Sequence, residues 1–155
     1  MSTRLVAIRH AKPLSEGYAE DALRPLSEEG KSIQLRATKQ LKDEGIVPTL
    51  ILSSPLLRAQ QTAQVITDVY NLPFEEENAL GYDFNQELLL KRIPSPEENQ
   101  TLFLVGHAPT LGHFINALVG ENVLPYGLSK SCAAVVDFKN EVGLGQAEFV
   151  SYYQP

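Results

Sequence analysis

The sequence predicts a three-layer α/β/α sandwich around a mostly parallel central sheet of about six strands. Short β-rich runs alternate with helix-patterned stretches, the signature of an α/β layer fold. Three of those runs are almost wholly apolar, as strands covered on both faces must be. The helical stretches also carry their own start and stop signals.

The expected strands are Leu5–Arg9, Thr49–Ser53, Phe74–Asn78, Thr101–Val105, Ala133–Phe138 and Ala147–Tyr153. The first, second and fourth are the apolar ones and belong at the centre. The last alternates Phe149, Ser151 and Tyr153 and belongs nearer an edge. Ser27 is a good helix N-cap, with Glu28 and Glu29 in the first turn, where the helix dipole favours acids. Ile33, Ala37 and Leu41 follow at four-residue spacing, and Gly45 supplies the stop. A second helix is expected from Ser54 as N-cap, with Pro55 at its first position, to near Asn71. A third covers about Asn85–Lys91, and a fourth runs from Pro109 to Gly120. The stretch Pro13 to Pro25 lacks periodicity and reads as a loop. Lys91–Gln100, with Pro94 and Pro96, reads as a linker inside the domain.

The bulk composition sets limits. A chain of 155 residues fits one domain, 1–155, and can bury a core without disulfides. With 43% hydrophobic and 21% charged residues it has the composition of a globular protein. The net charge of −6 argues against a nucleic-acid partner, so any anion site must be a local basic pocket in an acidic body. The single cysteine, Cys132, permits no internal disulfide or thiolate zinc cluster; it suits a cytoplasmic location and reads as a buried filler. No run approaches a membrane span, and the first residues lack the apolar core of a signal peptide, so no membrane partner is expected.

The chemistry sits at the strand ends. Arg9-His10 closes the first apolar run, Arg58 follows the second run and the turn Ser53-Ser54-Pro55, and Gly106-His107 closes the run Leu102–Val105. In a parallel open sheet, ligands bind beyond the carboxyl ends of the strands. Two arginines there can each grip two oxygens of a phosphoryl group, and helix N-termini add free N–H groups. A neutral imidazole is a competent nucleophile near neutral pH, and a second, protonated one would stabilise the phosphoryl oxygens. No carboxylate pair flanks these histidines, so neither a metal nor any other cofactor is called for.

Taken singly, each residue has an ordinary alternative. Arg9-His10 can be a surface strand end, Arg58 a solvated helix residue, His107 a helix cap. His113 reads as structural or exposed, Lys12 as a solvated charge, Ser53 and Ser54 as turn and cap residues, and Glu75-Glu76-Glu77 as a solvated face. Gly30-Lys31-Ser32 imitates the end of a nucleotide-binding loop, but the glycine required five residues earlier is Pro25.

Together, Ile8-Arg9-His10-Ala11, the stretch Ser53-Ser54-Pro55-Leu56-Leu57-Arg58-Ala59-Gln60-Gln61-Thr62-Ala63 and Val105-Gly106-His107 resemble the three motifs of the histidine phosphatase superfamily, in the family's order. The resemblance implies a phosphoglycerate mutase-like fold and a metal-independent phosphohydrolase working through a covalent phosphohistidine. His10 would be the nucleophile, with Arg9, Arg58 and His107 binding phosphate. Leu23-Arg24-Pro25-Leu26-Ser27-Glu28-Glu29-Gly30 and the small size resemble the compact bacterial phosphohistidine phosphatases, with Arg24 as a further phosphate ligand. That branch implies a phosphorylated protein partner, such as a histidine-phosphotransfer domain, and a role in signal transduction; the expected form is a monomer. The alternatives are a phosphatase or mutase for small phosphorylated molecules, and a non-catalytic phosphate-binding module.

Larger members of the superfamily carry an acidic proton donor between the second and third motifs. Here the candidates are Asp83 and Glu77, and neither stands out. An alkoxide leaving group needs such an acid, whereas a protonated imidazole departs as a neutral species. A site without a strong acid therefore favours cleavage of a phosphorus–nitrogen bond.

Overall fold

The computed structural model describes residues 1–155. Its sheet has six strands: β1 (Thr3–Arg9), β2 (Leu50–Ser53), β3 (Phe74–Glu76), β4 (Thr101–Gly106), β5 (Ala133–Phe138) and β6 (Glu148–Tyr153). They are ordered β3-β2-β4-β1-β5-β6. The pairs β3-β2, β2-β4 and β4-β1 are parallel; β1-β5 and β5-β6 are antiparallel. The apolar strands β2, β4 and β1 are central, and β6 lies at an edge, with none of its residues buried.

The period-two rule divides the core cleanly. Leu5 and Ala7 of β1, Leu102 and Leu104 of β4, and Ala134, Val136 and Phe138 of β5 point to one face. Val6, Ile8, Phe103, Val105, Ala133 and Val135 point to the other. Helix α1 (Glu28–Asp43) and helix α2 (Leu57–Tyr70) cover the second face, through Leu41, Ala59, Ala63 and Ile66. Helix α3 (Gln86–Arg92) and helix α4 (Thr110–Val119) cover the first, through Leu89, Leu111, Phe114, Ile115 and Leu118. No helix is long and apolar enough to cross a membrane.

Local signals operate much as the sequence predicts. Ser27 caps α1 by accepting from the Gly30 N–H at 2.9 Å. Asn85 caps α3 by accepting from the Leu88 N–H at 3.1 Å. Gly120 closes α4 in a left-handed conformation (φ 83°). Gly30, the residue that imitates a nucleotide loop, lies in α1 packed on the Lys12 backbone, where a Cβ would collide with the Lys12 carbonyl.

Two helix starts differ from expectation. Helix α2 begins at Leu57, not after Ser54, and its N-cap Leu56 offers no side-chain acceptor. The Ser54 hydroxyl instead closes a tight turn by accepting from the Leu56 N–H at 3.2 Å and meets His107. Pro109 is the N-cap of α4 rather than its first helical residue. In both cases the proline lies in the turn that carries the chain from strand to helix. The Lys91–Gln100 stretch also contains a short 3-10 turn, Pro96–Glu98, held by a capping box between Ser95 and Glu98.

Candidate active site

Strand register brings the signature residues level. Arg9 pairs with Gly106, Ile8 with Val105, and Val105 with Ser53, so β1, β4 and β2 end in one row. The backbone then leaves the sheet in step, with the His10 N–H on the Gly106 carbonyl and the Ser54 N–H on the Val105 carbonyl, each at 2.9 Å. Beyond this row is a cleft of about 430 Å³ lined by Arg9, His10, Arg24, Arg58, His107 and Lys130, together with Pro13, Leu56, Gly81, Tyr82, Ala108 and Thr110. The five residues expected to meet phosphate therefore line one cavity, and no carboxylate lines it.

The loop after His10 forms one wall. Its base is closed by the Pro13–Leu26 bridge, the Leu14 N–H on the Pro25 carbonyl (2.8 Å) and the Leu26 N–H on Gln61 of α2 (2.7 Å). This is an Ω-type closure that fixes the loop against the second motif. It brings Arg24 to the cavity, with its Nε–H on the Leu14 carbonyl and its guanidinium over the Tyr18 ring, 5.5 Å from the centroid.

His10 is only 6% exposed. Its Nδ1–H donates to the Ala11 carbonyl at 2.7 Å, which fixes the tautomer and leaves Nε2 with a free lone pair. Burial, followed by His107, Arg58 and Arg9, pushes its pKa down to about 3, so the ring is neutral at physiological pH. The His107 ring lies 5.2 Å away, centroid to centroid, and its Nε2 meets the Ser54 hydroxyl at 2.7 Å. Burial and Arg58 push its pKa down to about 4. The same burial favours the neutral form of the His107 ring. A phosphoryl dianion would restore its proton, because an opposite charge favours the charged form.

Arg58 leaves the first turn of α2 with its side chain only 12% exposed. Its guanidinium donates to the Asp21 carbonyl (3.0 Å) and faces the Asp21 carboxylate (3.3 Å), which also accepts from the Tyr82 hydroxyl. The Tyr82 bond, with Arg58 behind it, holds the Asp21 carboxyl below its usual pKa. Arg9 donates from Nη1 to the Leu128 carbonyl at 3.3 Å, and burial lowers its pKa.

The two proton-donor candidates lie elsewhere. The Glu77 carboxylate accepts from the Ala79 N–H at 3.1 Å and faces Arg92 at 3.9 Å, which spends it on capping a short turn. Asp83 is exposed and outside the cleft lining. Of the connection that carries both, only Gly81 and Tyr82 reach the cleft lining. His113 is exposed, Lys12 pairs with Glu29 at 2.7 Å, and Cys132 is buried.

Sequence reasoning missed Lys130, Tyr82 and Thr110 in the cleft, and the support roles of Ser54 and Thr62. Thr62 lies inside the second motif, which was a usable signal. Its fully buried hydroxyl accepts from the Ala11 N–H (3.0 Å) and donates to the Arg58 carbonyl (2.7 Å). One oxygen thus ties the backbone that sets the His10 tautomer to the turn that carries Arg58. Thr62→Val keeps the shape but orphans the Ala11 N–H. It should lower stability by about 1–3 kcal/mol and kcat by roughly tenfold, with Thr62→Ser restoring both; urea unfolding and steady-state rates measure the two.

Comparison with known proteins agrees with this architecture. The sequence model of the histidine phosphatase superfamily (branch 1) matches residues 5–81, a span that includes Arg9, His10, Arg24 and Arg58. An uncharacterised protein of Picosynechococcus sp. is 32% identical over 108 residues, which cover 65% of this chain and 63% of that protein, less than two thirds of its length. The structure of the protein histidine phosphatase SixA complexed with tungstate superposes with a TM-score of 0.80 at 23% identity, covering 96% of this chain and 95% of that one. A protein from Agrobacterium tumefaciens assigned as the phosphohistidine phosphatase SixA superposes with a TM-score of 0.80 at 27% identity, covering 99% of both chains. The fold is shared with these histidine phosphatases, and the cleft lies beyond the same strand ends that carry the three motifs. The chain belongs to the histidine phosphatase superfamily, and within it resembles the SixA branch.

Proposed function

We propose that this chain is a protein phosphohistidine phosphatase with His10 as its nucleophile. Arg9, Arg58, His107 and Arg24 hold the phosphoryl oxygens while the His10 Nε2 lone pair attacks phosphorus in line. The bond from phosphorus to the substrate imidazole breaks, and its electron pair leaves on that nitrogen. Because the Ala11 carbonyl keeps a proton on Nδ1, His10 in turn leaves as a neutral imidazole when water attacks the phosphoenzyme. Water supplies the hydroxyl and the proton that complete inorganic phosphate. Positioning and fixed positive charge provide most of the acceleration.

The observation that carries the choice of substrate is the absence of a carboxylic acid from the cleft lining. Asp21, the carboxylate that reaches Arg58 and Tyr82 at the rim, is held ionised and is a poor proton donor. Such a site suits a leaving group that needs no proton at departure, as a protonated phosphohistidine does. Both histidines of the cleft are in place, which argues against a non-catalytic phosphate-binding module. The single free cysteine fits work in a reducing cytoplasm, in a pathway that signals through phosphohistidine.

The test compares kcat/KM on a phosphorylated histidine-phosphotransfer domain with that on an alkyl phosphate. The expected preference is at least about a hundredfold for the phosphorus–nitrogen bond, the low end of what a missing general acid costs. Equal rates would transfer the chain to the small-molecule phosphatases. Quenched enzyme should carry acid-labile phosphate on His10.

A further inference from the structure

Lys130 is a cation in the cleft that holding a single phosphoryl group does not use. Four cationic side chains line the cavity, Arg9, Arg24, Arg58 and Lys130, on a protein whose net charge is −6. Asp21 at the rim offsets Arg58, and a phosphoryl dianion offsets two more charges, which leaves one of these four cations over even before the proton that the dianion restores to His107 is counted. The volume points the same way: about 430 Å³ lies within the range of small-ligand clefts, roughly 300–1,000 Å³. It is far more than one phosphate needs.

Lys130 is also held in place by its backbone. The strap Leu128–Cys132 is tied along Arg9: Arg9 Nη1 donates to the Leu128 carbonyl (3.3 Å), the Ser131 N–H to the Arg9 carbonyl (3.0 Å), and the Arg9 N–H to the Cys132 carbonyl (3.4 Å). Lys130 forms a parallel bridge with Arg9. Ser131 takes a left-handed conformation (φ 61°), which a β-carbon disfavours, to make this turn, and its hydroxyl is buried without a partner. The ammonium of Lys130 forms no ion pair.

We infer that Lys130 forms a second anion subsite, and that the substrate carries another anionic group, a carboxylate or a second phosphate, beside the transferring phosphoryl group. This deepens the reading of the cleft as a phosphoryl site and rests on it. On a phosphoprotein the group is an acidic side chain next to the phosphohistidine; on a small molecule it is part of the same metabolite. The chemistry recognised is the same.

Two substrate pairs matched in their scissile bond test it. The first is phenyl phosphate against 3-carboxyphenyl phosphate; the second is a phosphohistidine peptide with Gln or Glu beside the modified residue. The wild-type enzyme should show a lower KM for the anionic member of at least one pair. Lys130→Gln should reduce that preference about tenfold, the size of one charge-assisted hydrogen bond, and Lys130→Arg should retain most of it. A preference confined to the peptide pair assigns the anion to a protein; one confined to the aryl pair assigns it to a small molecule. No preference in either pair, or a preference that survives in Lys130→Gln, overturns the inference. Each comparison lies within one bond type, so the result is independent of whether the enzyme favours phosphorus–nitrogen over phosphorus–oxygen cleavage. Lys130 is exposed on its loop, so circular dichroism of the variants should match that of the parent.

Discussion

His10→Ala should abolish turnover, lowering kcat by on the order of 10⁴-fold or more, the scale on which loss of a nucleophile is felt. No other side chain in the cleft can substitute. The nearest imidazole, His107, has its Nε2 engaged by Ser54, and Thr110 donates its hydroxyl to the His107 carbonyl at 3.1 Å. The fold should survive at neutral pH, because the His10 ring bonds only the adjacent residue, and the His10 N–H that reaches the Gly106 carbonyl is kept in the variant. Steady-state rates and thermal unfolding of the variant measure these two outcomes.

The same variant should be less sensitive to acid than the parent. His10 and His107 are neutral in the fold, with pKa values lowered to about 3 and about 4, whereas an unfolded histidine titrates near 6.5. Between those limits the unfolded chain binds more protons than the folded one. Stability therefore rises with pH across the window and is lost as pH falls from about 6.5 toward 4. Removing His10 removes its share of this loss. The difference in unfolding free energy between variant and parent should thus shift in the variant's favour from pH 7 to pH 4.5, by roughly 1–2 kcal/mol after allowance for solvent screening. An unchanged difference would mean that His10 titrates normally and is not held neutral by burial.

Arg58→Ala should lower kcat by on the order of 10²–10³-fold, the cost of removing a preorganised charge from the transferring group. Arg58 also anchors Asp21, so the loop after His10 loses its tie to α2 at that point. The KM should rise together with the loss in kcat. Arg58→Lys should recover little, because an ammonium cannot hold the Asp21 carbonyl and two phosphoryl oxygens from one planar fork. Single-turnover kinetics on a phosphohistidine peptide separate the binding loss from the chemical one. A kcat within threefold of the parent would remove Arg58 from the chemistry.

The motifs made much of the cleft legible because strand ends are local features. An apolar run that stops at Arg9-His10 or at Gly106-His107 declares both the strand and the charged tip. The parallel sheet then needs only register to align those tips, and the Arg9–Gly106 and Val105–Ser53 pairings supply it. Arg24 was legible for a different reason, its resemblance to a family motif, since nothing in the loop's own pattern predicts that Tyr18 and the Leu14 carbonyl hold it in position. Glu77 and Asp83 lie outside the cleft lining, because proximity in the chain does not say which way a connection turns. Ser54 was read as a helix cap when its hydroxyl closes a turn and supports His107.

What the sequence by itself determined is the layer architecture, the central place of the three apolar strands, and the histidine and arginine side chains at their tips. Each follows from hydrophobic period, capping chemistry or the end of an apolar run, all of which act within a few residues. Only the tertiary structure decided that Lys130 and Tyr82 enter the cleft, that Thr62 links the His10 backbone to Arg58, and that burial lowers the pKa of both imidazoles. Those features depend on segments distant in the chain being brought together, and on the loss of water when they meet. Burial and nearby charge set a pKa, and neither exists until the chain has folded.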